Sequence, residues 1–327
     1  MSKSGDKINY AIRPAKGIER KLIGDALLGL VLGFGSQRYT YIGFGSKYFV
    51  DFMFFHRHLH IEKMVSIELD EQNKSIYEFN NPLSCIQLKF GSSSDVIPTL
   101  DYSDPVFCWL DYDGVFVQSM LSDLDGIIRR CESGSVVILS YNSRPYKLGQ
   151  LKQQYGVTDG KGLIRRELSS QLSDEAVPSD LDERGLGNWE KFSKLLRSIA
   201  DKYISAALAE KNVGLKDPYI YKQIFYFDYK DGVEMSTVGG VFVRESEASK
   251  ININGSLDFS FIRSKDERCL IEVPPLTSKE SRELLSCMPI TDEKVESLTK
   301  GGLFKERAVK KFTEFYKYYP RYSEVDY

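Results

Sequence analysis

After a short polar start, the apolar residues Ile18, Leu22, Ile23, Leu27, Leu28 and Val31 recur at helical intervals, which predicts a helix over 17–32. The period then changes. Short apolar runs at 39–42, 64–68, 86–90, 106–110 and 136–139 read as strands, and helical patterns at 48–59, 71–79 and 116–130 separate them. Strand and helix alternating over short connections predict right-handed βαβ units and a parallel sheet covered on both faces.

The rhythm breaks after residue 143. Residues 146–215 show no strand pattern and one strong helix over 189–210, with Trp189, Phe192, Leu196, Ile199 and Tyr203 on one stripe. The stretch 169–187 is rich in Ser, Asp and Glu and predicts a mobile loop. Two β-rich runs, 220–229 and 234–244, flank Lys230-Asp231-Gly232, a hairpin signal. From residue 278 the pattern predicts two helices, the last over 305–318. The fold class expected is α/β: a doubly wound, mostly parallel seven-stranded sheet with an antiparallel terminal hairpin. Its parts are an N-terminal helical segment (1–35), a core (36–145), a helical insertion (146–215), the hairpin (216–245) and a C-terminal extension (246–327).

Charge narrows the function classes. Lys and Arg number 44 against 46 Asp and Glu, a net charge of −2, which excludes a uniformly basic nucleic-acid binder. The basic residues nevertheless gather at 13–21, 161–166 and 305–311, so an anionic substrate or partner, nucleic acid included, stays open. In the tail, Lys305, Arg307, Lys310 and Lys311 interleave with Phe304, Phe312, Phe315, Tyr316, Tyr318 and Tyr319. Such a mixture can stack on single-stranded nucleic acid. The spacing of Leu303, Val309, Phe312 and Tyr316 favours a helix that packs on the domain or docks a protein partner. Five cysteines without a Cys-x-x-Cys pair encode no local zinc or dithiol site and suit a reducing cytoplasm. Residues 1–7 lack the apolar core of a secretory signal, and the longest apolar stretch, 26–34, is far short of the ~20 residues that span a bilayer, so no membrane role is expected. His56, His58 and His60 fall on a predicted helix, where only His56 and His60 align; a structural role is expected.

The candidate chemistry sits at strand ends. Gly43-x-Gly45-Ser46 joins a strand to a helix, where glycines admit a ligand to the backbone and a helix start offers free N–H groups. Glu68 closes the second strand, roughly 20 residues past the glycine turn, where an acid can accept both hydroxyls of a ribose. Ser92 and Ser93 leave the third strand beside it. Asp111 and Asp113 leave the fourth, as a base, as metal ligands or as a simple Asp-Gly turn, and Asn142 leaves the fifth as their neighbour. Arg13 and Lys16 precede and open the first helix, either as ligands for an anionic group or as a solvated basic face.

These features together resemble the Rossmann-like, class I S-adenosylmethionine-dependent methyltransferases, closest in pattern to O-methyltransferase-like members. The antiparallel hairpin carries the resemblance, because dinucleotide dehydrogenases end in parallel strands; an NAD-dependent dehydrogenase is the least favoured alternative. The resemblance implies S-adenosylmethionine as cofactor, with Gly43, Gly45 and Ser46 around its methionine part, Glu68 on the ribose, Ser92 and Ser93 near adenine, and Asp111 by the methyl donor. It places Arg13 and Lys16, with Asn142, on the substrate side, makes the insertion a substrate cap, and makes Asp111 or Asp113 the base for transfer to an oxygen or nitrogen of an unidentified acceptor. Residues 107–113 are similar to the strand-four motif of metal-dependent catechol-type O-methyltransferases, but the partner pair reads Tyr141-Asn142, one carboxylate short, and no metal is assigned. Tyr41, Lys47 and Ser92 also stand where the family pattern has other residues. The competing reading is therefore a catalytically inactive methyltransferase-like scaffold in a multi-component bacterial system.

Overall fold

The structure, a computed structural model, describes residues 13–255, 257–300 and 302–319; the polar residues 1–7 lie outside them. Helix α1 (Pro14–Phe34) opens on a proline, whose missing N–H is one the first turn could not pair. The next two donors are capped from afar: Asp231 accepts from the N–H of Ala15 (3.3 Å) and of Lys16 (2.9 Å). Asp231 belongs to the hairpin turn, so that turn also seats the first helix.

The alternating segment forms β1 (Thr40–Gly43), α2 (Val50–Leu59), β2 (Lys63–Glu68), α3 (Lys74–Asn80), β3 (Ile86–Phe90), α4 (Ser93–Val96), β4 (Val106–Val115), α5 (Gln118–Arg130) and β5 (Ser135–Asn142). Beyond the insertion come β6 (Tyr219–Lys230), β7 (Glu234–Arg244) and a short β8 (Cys269–Ile271). The sheet order is β3-β2-β1-β4-β5-β7-β6-β8. Strands β1 to β5 pair in parallel, and β7 lies antiparallel between β5 and β6. This is the expected fold class, with the hairpin disposed as the methyltransferase resemblance implied and not as in a parallel-ended dehydrogenase sheet. It has one strand more than expected: β8 adds to β6 over three residues, too few to leave a periodic signal.

Side-chain alternation sends the two faces of β4 into separate cores. Phe107 and Trp109 join Tyr41, Met64, Val136 and Ile138 under α1 and α2. Cys108 and Leu110 join Ile42, Val65, Val137 and Leu139 under α5. Each fully buried Leu or Phe contributes about 2 kcal/mol from apolar burial. The strand runs past its expected end at residue 110. Its register on β5 shifts between Asp111 and Val115, a bulge that lifts Tyr112, Asp113 and Gly114 out of the ladder.

The insertion holds α6 (Leu148–Tyr155), α7 (Leu163–Leu172) and α8 (Trp189–Lys211). Two expectations change here. Leu163, Leu168, Phe192, Leu196 and Ile199 are buried in the core on the α5 side, so these helices extend that core instead of forming a cap. The polar stretch 169–187 is anchored by buried Leu172, Ala176, Val177 and Leu186, and Glu183 accepts from the backbone of Gly162 (3.1 Å) and Arg165 (2.8 Å).

The tail forms three helices, not two: α9 (Ser278–Ser286), α10 (Asp292–Lys300) and α11 (Glu306–Phe315). Leu284, Val295, Phe304, Val309 and Phe312 make their own small core. The basic residues face acids of the same chain, with Arg307 on Glu272 (2.8 Å), Lys310 on Glu306 (2.5 Å) and Lys311 on Glu314 (2.9 Å). Phe304, Phe312 and Phe315 are buried, which removes them as stacking platforms. Among the described residues no helix is long and apolar enough to cross a membrane, and all five cysteines are free thiols.

Candidate active site

A cleft of about 400 Å³ opens at the carboxyl ends of β1, β2, β3 and β4, where open α/β sheets bind ligands. It brings together Gly45, Ser46, Glu68, Ser92, Ser93, Asp111 and Asp113 from the sequence-expected set. It adds Arg20 and Asp51, whose ion pair forms one wall, together with Phe44, Tyr77 and Tyr112.

At the end of β1, Tyr41 and Gly43 share one strand face. A Cβ on Gly43 would sit 2.6 Å from the Tyr41 hydroxyl, so the glycine makes room for a buried tyrosine and does not itself line the cleft. The Tyr41 ring packs among Phe52, Phe55 and Phe107 with centroids about 5 Å apart. Gly45 is required by contact as well, since a Cβ there would meet the Ser66 hydroxyl at 2.5 Å and the Phe49 ring at 2.7 Å. Two residues of this loop, Ser46 (φ 49°) and Phe49 (φ 47°), adopt the left-handed conformation without being glycine. Such strain costs about 1 kcal/mol or more per residue and persists where the surroundings impose it.

Glu68 points into the start of that loop. Its Oε1 accepts from Gly45 N–H (3.1 Å) and from the Ser66 hydroxyl (2.6 Å). Burial pushes this carboxyl up to about 7, against the lowering pull of Ser66 and of the backbone N–H groups of Gly45 and Ser46. The third-strand serines are held differently. Ser92 caps α4, exchanging hydrogen bonds with Asp95. Ser93 donates to Asp123 of α5 (2.5 Å), which also accepts from Ser94 (2.8 Å) and Tyr112 (2.5 Å). Buried Asp123 therefore organises the far wall, and the Tyr112 ring meets Phe44 at 5.0 Å.

Alternation along β4 places Asp111 on the Trp109 side, facing α1. There Lys16 is buried, 1% exposed, and does not present a basic face to substrate. Its Nζ donates to Asp111 Oδ1 (2.6 Å) and to the Tyr229 hydroxyl (3.2 Å), lies 2.8 Å from Glu19 Oε2, and sits 4.2 Å over the Trp109 ring. Burial alone would depress this ammonium, but Asp111 and Glu19 outweigh it and hold it well above the usual lysine value. Burial raises the Asp111 carboxyl, with Lys16 pulling the other way.

Arg13 lies 3.9 Å from Asp113 at the cleft edge. Asn142 does not line the cleft; its Oδ1 accepts from Arg144 N–H (2.9 Å), which closes the turn after β5. His56 contacts the carbonyl of Ile61 (2.9 Å), and His58 stacks on Phe54 at 5.0 Å and lies 3.0 Å from Asp25, so these two imidazoles are spent on packing. Among the described residues no three His, Cys, Asp or Glu side chains converge as a metal site. The residues missed were Arg20, Asp51 and Asp123. Only Arg20 left a signal, at the i+4 position from Lys16 within the charged run Glu19-Arg20-Lys21.

Residues 8–327 match the family described as "Putative O-methyltransferase". The chain belongs to this family. No curated protein sequence matches the methyltransferase. Among solved structures it is similar to Trm1 from Pyrococcus horikoshii with S-adenosyl-L-methionine, at 10% identity and a TM-score of 0.45, covering 69% of this chain and 54% of that one. The chain thus spans about half the length of the Pyrococcus protein. It is also similar to the O-methyltransferase TomG from Streptomyces achromogenes with the same ligand, at 15% identity and a TM-score of 0.35, covering 72% and 91%. A third is an O-methyltransferase from Bacillus cereus with S-adenosylhomocysteine, at 14% identity and a TM-score of 0.33, covering 67% and 80%.

Proposed function

We propose that this methyltransferase binds S-adenosylmethionine in the cleft and transfers the methyl group to a hydroxyl oxygen of a small acceptor. The observation that carries the reading is Glu68. It is a buried strand-end carboxylate whose Oε1 is fixed by the glycine turn, and it lines the cleft where a ribose would present its hydroxyls. The remaining lining fits the same ligand. Asp51, Glu68, Asp70, Asp111 and Asp113 face Arg20, an acidic balance suited to a cation.

When bound, S-adenosylmethionine supplies a methyl group on a sulfonium, which becomes a neutral sulfide as the methyl leaves. The protein's part is to align the acceptor and receive its proton. Asp111, at the cleft floor on β4, is the proton acceptor in this reading. Asp113, displaced by the bulge and near Arg13, belongs to the substrate side together with the Phe44–Tyr112 wall. The test is incubation with methyl-labelled S-adenosylmethionine and a panel of hydroxyl-bearing small molecules, read by mass spectrometry. Label on an acceptor oxygen, lost in Asp111→Asn, is expected. Label found on the acceptor's nitrogen or carbon instead overturns the oxygen assignment.

A further inference from the structure

The cleft floor carries a charge arrangement that cofactor binding does not require. Lys16 lies beneath the floor with two carboxyls, Asp111 and Glu19, against one ammonium. Glu19 is fully buried, its Oε2 lies 2.8 Å from Lys16 Nζ, and Lys16 and Thr237 are the polar side chains that hold its carboxyl. Burial, with Asp111 nearby, pushes the Glu19 carboxyl up, against the lowering pull of Lys16 and Thr237. The ammonium is thus shared between Glu19, sealed below the floor, and Asp111, the carboxyl that opens onto the cleft.

We propose that Lys16 is a positioning residue for the methyl transfer: by binding Oδ1 of Asp111 from below, it keeps that carboxylate ionised and leaves its other oxygen for the acceptor hydroxyl. The inference rests on the methyltransferase reading of the cleft. As the acceptor oxygen bonds to the methyl carbon, its O–H bonding pair stays on oxygen and the proton passes to Asp111. The C–S pair leaves on sulfur, and Asp111 then returns the proton to solvent through the cleft. Lys16 holds its own proton throughout, because two acids and the Tyr229 hydroxyl surround it.

The groups that face Asp111 are Lys16, Glu19 and Arg20 from α1, Asp51 from α2, Asp113 from its own strand, Tyr41 from β1 and Tyr229 from β6. Arg20 is taken up by Asp51, and Arg13 by Asp113 at 3.9 Å, so Lys16 is the cation in direct contact with Asp111. Removing it leaves a partly buried carboxylate beside two other acids, which raises its proton affinity.

The test is the carbon-13 titration of the Asp111 carboxyl in the full chain, assigned by its disappearance in Asp111→Asn. The wild-type signal is expected to titrate below pH 7. In Lys16→Met the midpoint is expected to rise by at least one pH unit, a tenfold gain in proton affinity; Lys16→Gln, which keeps a donor but loses the charge, serves if the methionine variant does not fold. A lysine whose charge does not bear on Asp111 would leave the midpoint in place, and one that pairs with Asp111 for structure alone would leave the pH profile of methyl transfer unmoved while the midpoint rises. A wild-type midpoint above pH 7, or an unmoved midpoint or pH profile in a folded variant, overturns the proposal. Calorimetry of wild type with S-adenosylmethionine reads the cofactor assignment separately: absence of binding defeats that assignment and leaves the Asp111 titration as measured.

Discussion

Two acids of this molecule, Asp228 and Asp111, each meet a cation that lies over a tryptophan, and they differ in what surrounds the pair. Asp228 on β6 is engaged through both oxygens: Ser193 (2.7 Å) and Ser236 (2.6 Å) donate to Oδ1, and Arg268 donates to Oδ2 (2.7 Å). Arg268 lies over Trp189, whose indole N–H goes to Ser143 (2.9 Å). Asp111 also holds a cation over a tryptophan, but it opens onto the cleft and shares its ammonium with a third member of the cluster, Glu19. A closed polar network specifies how helices seat on a sheet. One that opens onto a cleft keeps a titratable group poised for chemistry. The same charge chemistry thus serves architecture on one face of the sheet and, in the proposed reading, reaction on the other.

Removing Asp228 should have the largest effect on folding and none on the cleft. Asp228→Ala leaves Arg268 with only the exposed Glu190 and strands the buried Ser193 and Ser236 hydroxyls, and is expected to cost about 3 kcal/mol in urea unfolding. S-adenosylmethionine affinity should be unchanged. A loss below about 1 kcal/mol would end the structural side of the contrast. Glu68→Gln reverses the pattern: affinity for S-adenosylmethionine should fall by about 10- to 100-fold, roughly 1.4–2.7 kcal/mol, while the ligand-free variant above pH 7 is no less stable than wild type, because it no longer buries an ionised carboxyl. Equal affinity in the two proteins would remove Glu68 from the ribose.

The pH dependence sharpens the same point. Glu68 must be ionised to accept two hydroxyls, and its carboxyl is raised to about 7. Affinity should therefore rise with pH, by roughly tenfold between pH 6 and 8, and become flat in Glu68→Gln. Stability of the ligand-free protein runs the other way. The folded state holds this proton more tightly than the unfolded chain, so the Glu68 contribution declines as pH rises from about 4.5 to 7. The smallest effect is expected at Glu19. Glu19→Gln keeps the shape and a hydrogen-bonding group beside Lys16 and should change stability by less than about 1 kcal/mol; a larger loss would mean that the charge of Glu19 and not its shape holds the ammonium.

Most of the sheet was legible because its signals are local. The third strand, 86–90, was read with both ends correct, and the hairpin was marked by Asp231-Gly232 between β-rich runs. The end of β4 was not, because a bulge keeps Asp111 to Val115 in the strand although the apolar run stops at Leu110. Glu68, Asp111 and the serines were found by their place at strand ends, which topology alone puts on one edge. Lys16 was misjudged because its partner lies 95 residues away. A lysine at the start of a helix reads as solvated until the fold brings a carboxylate above it. Tyr41 illustrates the same limit: a residue at odds with the family pattern proved to be an aromatic core member that Gly43 accommodates.

The central claim is that this cleft is a cofactor site organised by Glu68. Isothermal titration of the wild-type chain with S-adenosylmethionine at pH 8 tests it most directly, with Glu68→Gln alongside. Saturable binding at one site per chain, weakened at least tenfold in the variant, is the result predicted. Absence of binding to a folded wild type, or binding indifferent to Glu68, would contradict it.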